Sequence, residues 1–292
     1  MFGTMNPPPT YLLPTQKSEG AFMRLFALIP CAALIAATTL PLAAQSFSTH
    51  PCPNDDDHGG MIAHWLNGEQ ACEVRTITFP LVDGHLNVNS MNGGIEVIGQ
   101  DRNDIALEAR VSARAGSQSE AASMLHEITI QTGATVEAHG PHTSGNHNWS
   151  VGYKLLVPHH LAANFHTMNG GLELSGINGN IRGETTNGGV HIENLGGDVN
   201  VSTTNGGIKA NLDGNTWQGR GLTASTTNGG VHVQLPSNYS AHLVANTTNG
   251  GTALNVPNAN QDGVHRHSID TNVGSGGPTL NFETTNGGVA ID

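Results

Sequence analysis

Residues 185–207 read Thr185-Thr186-Asn187-Gly188-Gly189-Val190-His191-Ile192-Glu193-Asn194-Leu195-Gly196-Gly197-Asp198-Val199-Asn200-Val201-Ser202-Thr203-Thr204-Asn205-Gly206-Gly207. The opening pentapeptide returns after 18 residues. Between its two copies, apolar residues alternate with polar ones: Val190 and Ile192, then Val199 and Val201. A period of two is the mark of a half-buried strand. Asn-Gly predicts a tight turn, with glycine supplying positive φ. The stretch therefore predicts short strands joined by identical turns.

The same unit recurs along the chain. Asn-Gly-Gly begins at Asn92, Asn169, Asn187, Asn205, Asn228, Asn249 and Asn286, and the last five form Thr-Thr-Asn-Gly-Gly. Asn-Gly at 178 and Gly-Gly at 196 fill intermediate slots, giving a period of nine paired into eighteen. The wider later spacings read as coils with inserted loops, at Asp213–Gly221 and Pro257–Arg266. Antiparallel hairpins in a meander are one arrangement. Recurrence of a whole unit favours the other: an all-β solenoid or β-roll of stacked two-strand coils, each about 18–23 residues long. Stacking would place identical Thr and Asn residues above one another, where hydrogen bonds can run in ladders.

Outside the repeat, His85–Val97, Ile105–Ala113, Glu127–Val136 and Ser150–Val157 read as strands. One short helix is expected near 117–128, from Ala121, Ala122, Met124 and Leu125 behind a serine cap. Residues 81–292 are expected to form one solenoid domain. Its last repeat strand, Thr284–Asp292, predicts an open solenoid end able to pair with a second copy.

The N-terminus reads as an address. Residues 23–44 carry Arg24, an apolar run and Leu42-Ala43-Ala44, the pattern of a cleaved secretory signal. Residues 1–22 precede that logic and read as an over-extended gene start. Leu28-Ile29-Pro30-Cys31 is a weak lipoprotein-box match, because the apolar run continues beyond the cysteine. After cleavage no membrane span is expected. Cys52 and Cys72 remain in the 45–80 segment, and export favours their pairing as a disulfide.

Composition removes several function classes. Eleven Lys and Arg stand against 23 Asp and Glu, so there is no basic footprint for nucleic acid. No phosphate loop or dinucleotide fingerprint occurs. The residues after Gly188-Gly189 lack the glycine and aspartate of a calcium-binding β-roll, so calcium is not expected. His50, Asp55, Asp56, Asp57, His58 and His64 cluster without metal-site spacing, and no metal or cofactor is assigned. Asp198, Glu184 and Glu193 are not forced together as a glycosidase pair would be, so no catalytic residues are assigned. One column stands out. The second residue after Gly-Gly points outward in every coil: Glu173, His191, Lys209, His232 and Ala253. In register these form a candidate ligand-contact ladder, or else an ordinary solvated face.

Longer motifs carry a family resemblance. Cys72-Glu73-Val74-Arg75, Met91-Asn92-Gly93-Gly94-Ile95, Arg110–Ile128, Trp149-Ser150-Val151, Val157-Pro158 and Met168-Asn169-Gly170-Gly171 take part. So do the Thr-Thr-Asn-Gly-Gly series, Trp217 and Gly221-Leu222. Over about residues 70–292 the chain resembles the bacterial putative-adhesin domain family of unknown function. The resemblance implies an exported β-solenoid at the cell envelope, with some relatives linked to envelope-stress systems, and it supplies no catalytic residues. The resulting expectation is an exported, non-catalytic envelope module in the periplasm, at the cell surface or outside the cell, binding a protein or glycan through its polar face. A periplasmic stress sensor or scaffold and a polysaccharide-processing enzyme are the competing expectations.

Overall fold

A computed structural model of the chain describes residues 46–53, 69–257 and 259–292. The expected signal segment, the gene-start segment, Cys31 and the cluster from Asp55 to His64 lie outside the described residues. The N-terminal part holds β1 (Ser48–Pro51), β2 (Glu69–Pro80), β3 (His85–Asn92), β4 (Ile95–Gln100), β5 (Asp104–Ala115), helix α1 (Gln118–Glu127), β6 (Thr129–Gln131), β7 (Thr135–His139) and β8 (Asn148–Pro158). The repeats follow as β9 (Ala162–Asn169), β10 (Leu172–Ser175), β11 (Asn178–Asn187), β12 (Val190–Glu193), β13 (Gly196–Asn205), β14 (Ile208–Asn211), β15 (Gly221–Asn228) and β16 (Val231–Gln234). The last elements are β17 (Ala241–Asn249), β18 (Thr252–Leu254), β19 (Ser268–Val273), β20 (Thr279–Asn286) and β21 (Val289–Ile291).

The pairing distinguishes the two arrangements. Thr185 lies level with Thr203, Asn187 with Asn205, Val190 with Ile208, and within each pair of strands the two run parallel. A meander would pair them antiparallel. Each coil instead gives its first strand to a 10-stranded sheet, turns at Asn-Gly-Gly, and gives its second strand to an 11-stranded sheet. The chain is a β-solenoid. Val190, Ile192, Val199, Val201, Ile208 and Ala210 all face the interior between the sheets and are at most 2% exposed. One interior column shows how volumes balance along the stack: Phe165, Gly183, Val201, Ala224 and Phe282 lie level on successive strands, large beside small.

Two ladders hold the coils in register. The first Thr of each turn motif is buried, and its hydroxyl donates to a glycine carbonyl one coil away: Thr185 to Gly170, Thr203 to Gly188, Thr226 to Gly206, each at 2.8 Å. This satisfies a carbonyl that would otherwise be buried unpaired. The turn asparagines form a second ladder, with Asn187 Nδ2 donating to Asn169 Oδ1 and Asn205 Nδ2 to Asn187 Oδ1, both at 2.9 Å. The motif's glycines act differently from expectation. None of the seven turn asparagines has positive φ, and of the first-position glycines Gly93 (φ 139°) and Gly287 (φ 158°) do. The usual requirement is space: a Cβ on Gly188 would collide with the Gly170 carbonyl, and one on Gly206 with that of Gly188.

Coil order departs from chain order. In the 11-stranded sheet β21 lies between β16 and β18, and in the other β20 lies between β15 and β17. The segment expected to leave an open end is therefore an interior coil. The loop after β18 leads into β19, which pairs antiparallel with β17 and covers that sheet's edge. At the edge of the other sheet, the Thr252 amide donates to the Arg266 carbonyl.

The opposite end is closed by antiparallel strands. β2 pairs with β5 from Glu69–Ala115 to Pro80–Asp104, so the sheet extends across the boundary expected at residue 80. β1 pairs with β2, and the Cys52 and Cys72 sulfurs are bonded, with Cα atoms 5.6 Å apart. Helix α1 starts at a Ser117 cap and buries Ala121, Met124 and Leu125. The Arg75 guanidinium donates to the carbonyls of Leu125 and Ile128 and pairs with Glu73. The strand expected over 127–136 divides in two. Glu127 ends the helix, and a turn around Gly133 (φ 121°) separates β6 from β7, which pair antiparallel.

Candidate functional site

Strand alternation exposes two columns that matter on the outer face of the 11-stranded sheet. The first is the second glycine of each turn, including Gly94, Gly171, Gly189, Gly207 and Gly230. The next is the residue two positions on. Because the glycines have no side chains, they leave a trough. It encloses about 1440 Å³ and is lined by these glycines together with Glu96, Lys154, Glu173, His191, Lys209 and His232.

Register orders the trough's polar wall. Glu108 stands beside Lys154, then come Glu96, Glu173, His191, Lys209, His232, Ala290 and Ala253. Eight inter-strand steps span about 38 Å. The row is graded: carboxylates with one lysine at the capped end, imidazoles and Lys209 in the middle, alanines at the far end. Lys154 Nζ donates to Glu96 Oε1 at 2.7 Å. That bond raises the lysine pKa above its usual value, Glu96, Glu108 and Glu173 add to the effect by charge, and desolvation opposes it. His191 lies 3.8 Å from Glu173 Oε1 and 3.2 Å from Asn211 Nδ2. His232 lies 3.5 Å from Asp292 Oδ2.

The Toastrack DUF4097 family model matches residues 76–292. The chain belongs to the Toastrack DUF4097 family. No curated protein matches it. Among solved structures, a putative cell adhesion protein from Clostridium sporogenes is 12% identical (TM-score 0.38), covering 76% of this chain and 99% of its own. A putative adhesin from Bacteroides fragilis is 12% identical (TM-score 0.37), covering 75% and 97%. A putative lipid binding protein from Parabacteroides distasonis is 9% identical (TM-score 0.31), covering 76% and 96%.

The Toastrack solenoid places Glu173, His191, Lys209 and His232 in consecutive positions of one row. Ala253 is separated from His232 by Ala290, because the last coil in sequence intervenes. Glu96 and Ala290 follow the same two-after-Gly-Gly rule, and applying it to Gly94 and Gly288 would have found both. Lys154 and Glu108 carry no motif; only the antiparallel strands bring them in.

The trough does bring two carboxylates together. Glu96 and Glu173 are 77 residues apart in sequence but level on adjacent strands. Their side chains are 38% and 61% exposed, and Glu96 is engaged by Lys154. A glycosidase acid must be shielded from water to keep its proton near neutral pH, and neither glutamate is shielded. Asp198 pairs with Arg220, Glu184 faces His166, and Glu193 is exposed, so these three do not converge. Among the described residues no three His, Cys, Asp or Glu form a metal-holding group. His50 is exposed on β1, His159 contacts the Gly176 carbonyl and Asp101, and His265 and His267 flank Arg266 before β19. Among the described residues no helix is long and apolar enough to cross a membrane.

Proposed function

We propose that this chain is an exported, non-catalytic interaction module of the cell envelope that binds an extended protein or glycan along the glycine-floored trough. The observation that carries this reading is the continuity of the trough across the stacked coils. A length of about 38 Å suits a strand-like ligand rather than a small metabolite. The glycine floor admits close approach, and the graded wall gives the ligand a direction. Exposed ion pairs are individually weak, so affinity would come from repetition along the row.

The test is an array of glycans and extended peptides probed with the labelled chain and with a Lys209→Glu, His191→Glu double variant. Binding that is lost in the variant at unchanged melting temperature supports the trough. Binding that survives the reversal removes it. Protease shaving of intact and opened cells tests the compartment: cleavage on intact cells, with a periplasmic control spared, supports adhesion. Protection until the envelope is opened favours the periplasmic sensor or scaffold instead.

A further inference from the structure

The repeat places a threonine, pointing away from the core, just before the turn asparagine in five coils: Thr186, Thr204, Thr227, Thr248 and Thr285. In the two remaining coils this position is Met91 and Met168. They lie side by side, since Ser90 pairs with Thr167 and Asn92 with Asn169. Met91 is 63% and Met168 44% exposed, and with Val82 they are the exposed large hydrophobic side chains among the described residues. A thioether facing water gains nothing by burial, and a threonine suits an exposed strand better. The repeat thus departs from its own rule where β3 and β9 approach β7 and the loop that follows it.

That loop completes a cavity. β7 lies parallel to β3 with Asn89 level with Glu137, which brings His139 alongside Met91. Trp149 Nε1 donates to the Pro141 carbonyl at 2.9 Å, tying the loop back to β8. The resulting cavity of about 540 Å³ is lined by Met91, Met168, His139, His142, His166 and Trp149, among others. His166 Nδ1 lies 3.8 Å from Glu184 Oε2, beyond hydrogen-bond reach.

We infer that Met91 and Met168, with His139 and His166, form a binding site for monovalent copper on the outer face of the 10-stranded sheet. The donor set selects the ion. Two soft thioethers are poor partners for calcium, magnesium or manganese, whereas thioether with imidazole suits Cu(I). The site is on the opposite sheet from the trough and does not depend on the function proposed for it. No electron transfer is involved, because the ion binds in the oxidation state supplied.

The repeat itself provides the test variant: Met91→Thr with Met168→Thr restores the residue that five coils already carry, so the fold should be retained. The full chain, with Cys31→Ser in both arms to remove a competing thiol, is titrated anaerobically with Cu(I) against a coloured Cu(I) chelator. One ion per chain is expected, with affinity at least about 10- to 100-fold weaker in the double variant. X-ray absorption should find sulfur around copper in the parent chain and none in the variant. Failure of the parent chain to take copper from the chelator overturns the assignment. So does equal retention by the double variant, or a copper environment of nitrogen and oxygen alone.

Discussion

Asn228 and Asn286 are 58 residues apart in sequence and hydrogen-bonded at 2.9 Å, Asn286 Nδ2 donating to Asn228 Oδ1. Asn249 in turn donates to Asn286 at 3.0 Å. The asparagine ladder therefore runs 92, 169, 187, 205, 228, 286, 249, and the last strands in sequence are an interior rung. Deleting residues 279–292 should take one neighbour from each of β15, β16 and β17 and leave β18 with none. The expected result is loss of protection across 241–273 as well as a lower melting temperature. Hydrogen exchange on the truncated chain checks this. Undisturbed protection of β17 and β19 would contradict the intercalated order.

Adjacent glycines should respond oppositely to alanine. A Cβ at Gly170 would collide with the Gly93 carbonyl, while one at Gly171 meets the Gly189 carbonyl at an ordinary 3.5 Å. Gly170→Ala is expected to cost about 1–3 kcal/mol, in the range of overpacking. For a domain of this size that is a fall of roughly 2–12 °C. Gly171→Ala should melt within about a degree of the parent chain while narrowing the trough, so it separates binding from folding. Equal melting of the two variants would refute the close-stacking account of the motif.

The buried threonine column offers a test of the first ladder. Thr203 is 4% exposed and donates to Gly188 at 2.8 Å. Thr203→Val keeps the shape and removes the donor, leaving a carbonyl unpaired in the interior. A loss of about 1–3 kcal/mol is expected by denaturant titration. Thr204→Val, at the outward neighbour, should change stability by less than about 0.5 kcal/mol.

These ladders explain what the sequence made legible. Stacked coils repeat their neighbours' contacts, so Thr203 and Asn205 occur because Thr185 and Asn187 do, and the architecture can be read from the motif. The same identity hides coil order. Any Thr-Thr-Asn-Gly-Gly turn can stack on any other, so nothing in Thr284–Gly288 marks it as a neighbour of Thr226–Gly230. The decision rests on β19, which occupies the outer edge of β17 and leaves β20 the inner one. The trough was legible for Glu173 through His232, where strands follow the repeat. It was not legible for Lys154 and Glu108, which arrive on antiparallel strands whose register no motif encodes. Met91 and Met168 entered the sequence reading only as parts of the family motifs, and their proximity to His139 depends on β7, which pattern alone merged with β6.

The Lys154–Glu96 pair predicts a specific pH response. A lysine whose pKa is raised in the folded state adds stability below its unfolded pKa, and loses it as pH rises through the folded value. The pair should therefore contribute throughout the neutral range and fade only above the usual lysine pKa of about 10.4. Both side chains are more than a third exposed, so the effect is small, under about 1 kcal/mol. Glu96→Gln should lower stability slightly at pH 7 and at 0.1 M salt, and the difference should shrink in high salt. NMR titration of the Lys154 ammonium should show its pKa falling in the variant. An unchanged value would mean that Glu108 and Glu173 hold the charge instead.

The Cys52–Cys72 bond gives the last test, and it bears on the compartment. The bond closes a loop with a sequence separation of 20 and ties β1 to β2 at the edge of the 11-stranded sheet. By chain entropy, closing such a loop is worth about 3 kcal/mol. Because β1 is a four-residue edge strand, reduction should free β1 before it affects the solenoid. The expected signature is protease cleavage near residues 46–68 under reductant, with the 69–292 core intact and melting close to its oxidised value. A chain isolated from cells with both thiols blocked by iodoacetamide before reduction would argue for a reducing compartment and against export. Full protection of the thiols until reductant is added supports export, and fits the reading of residues 23–44 as a signal.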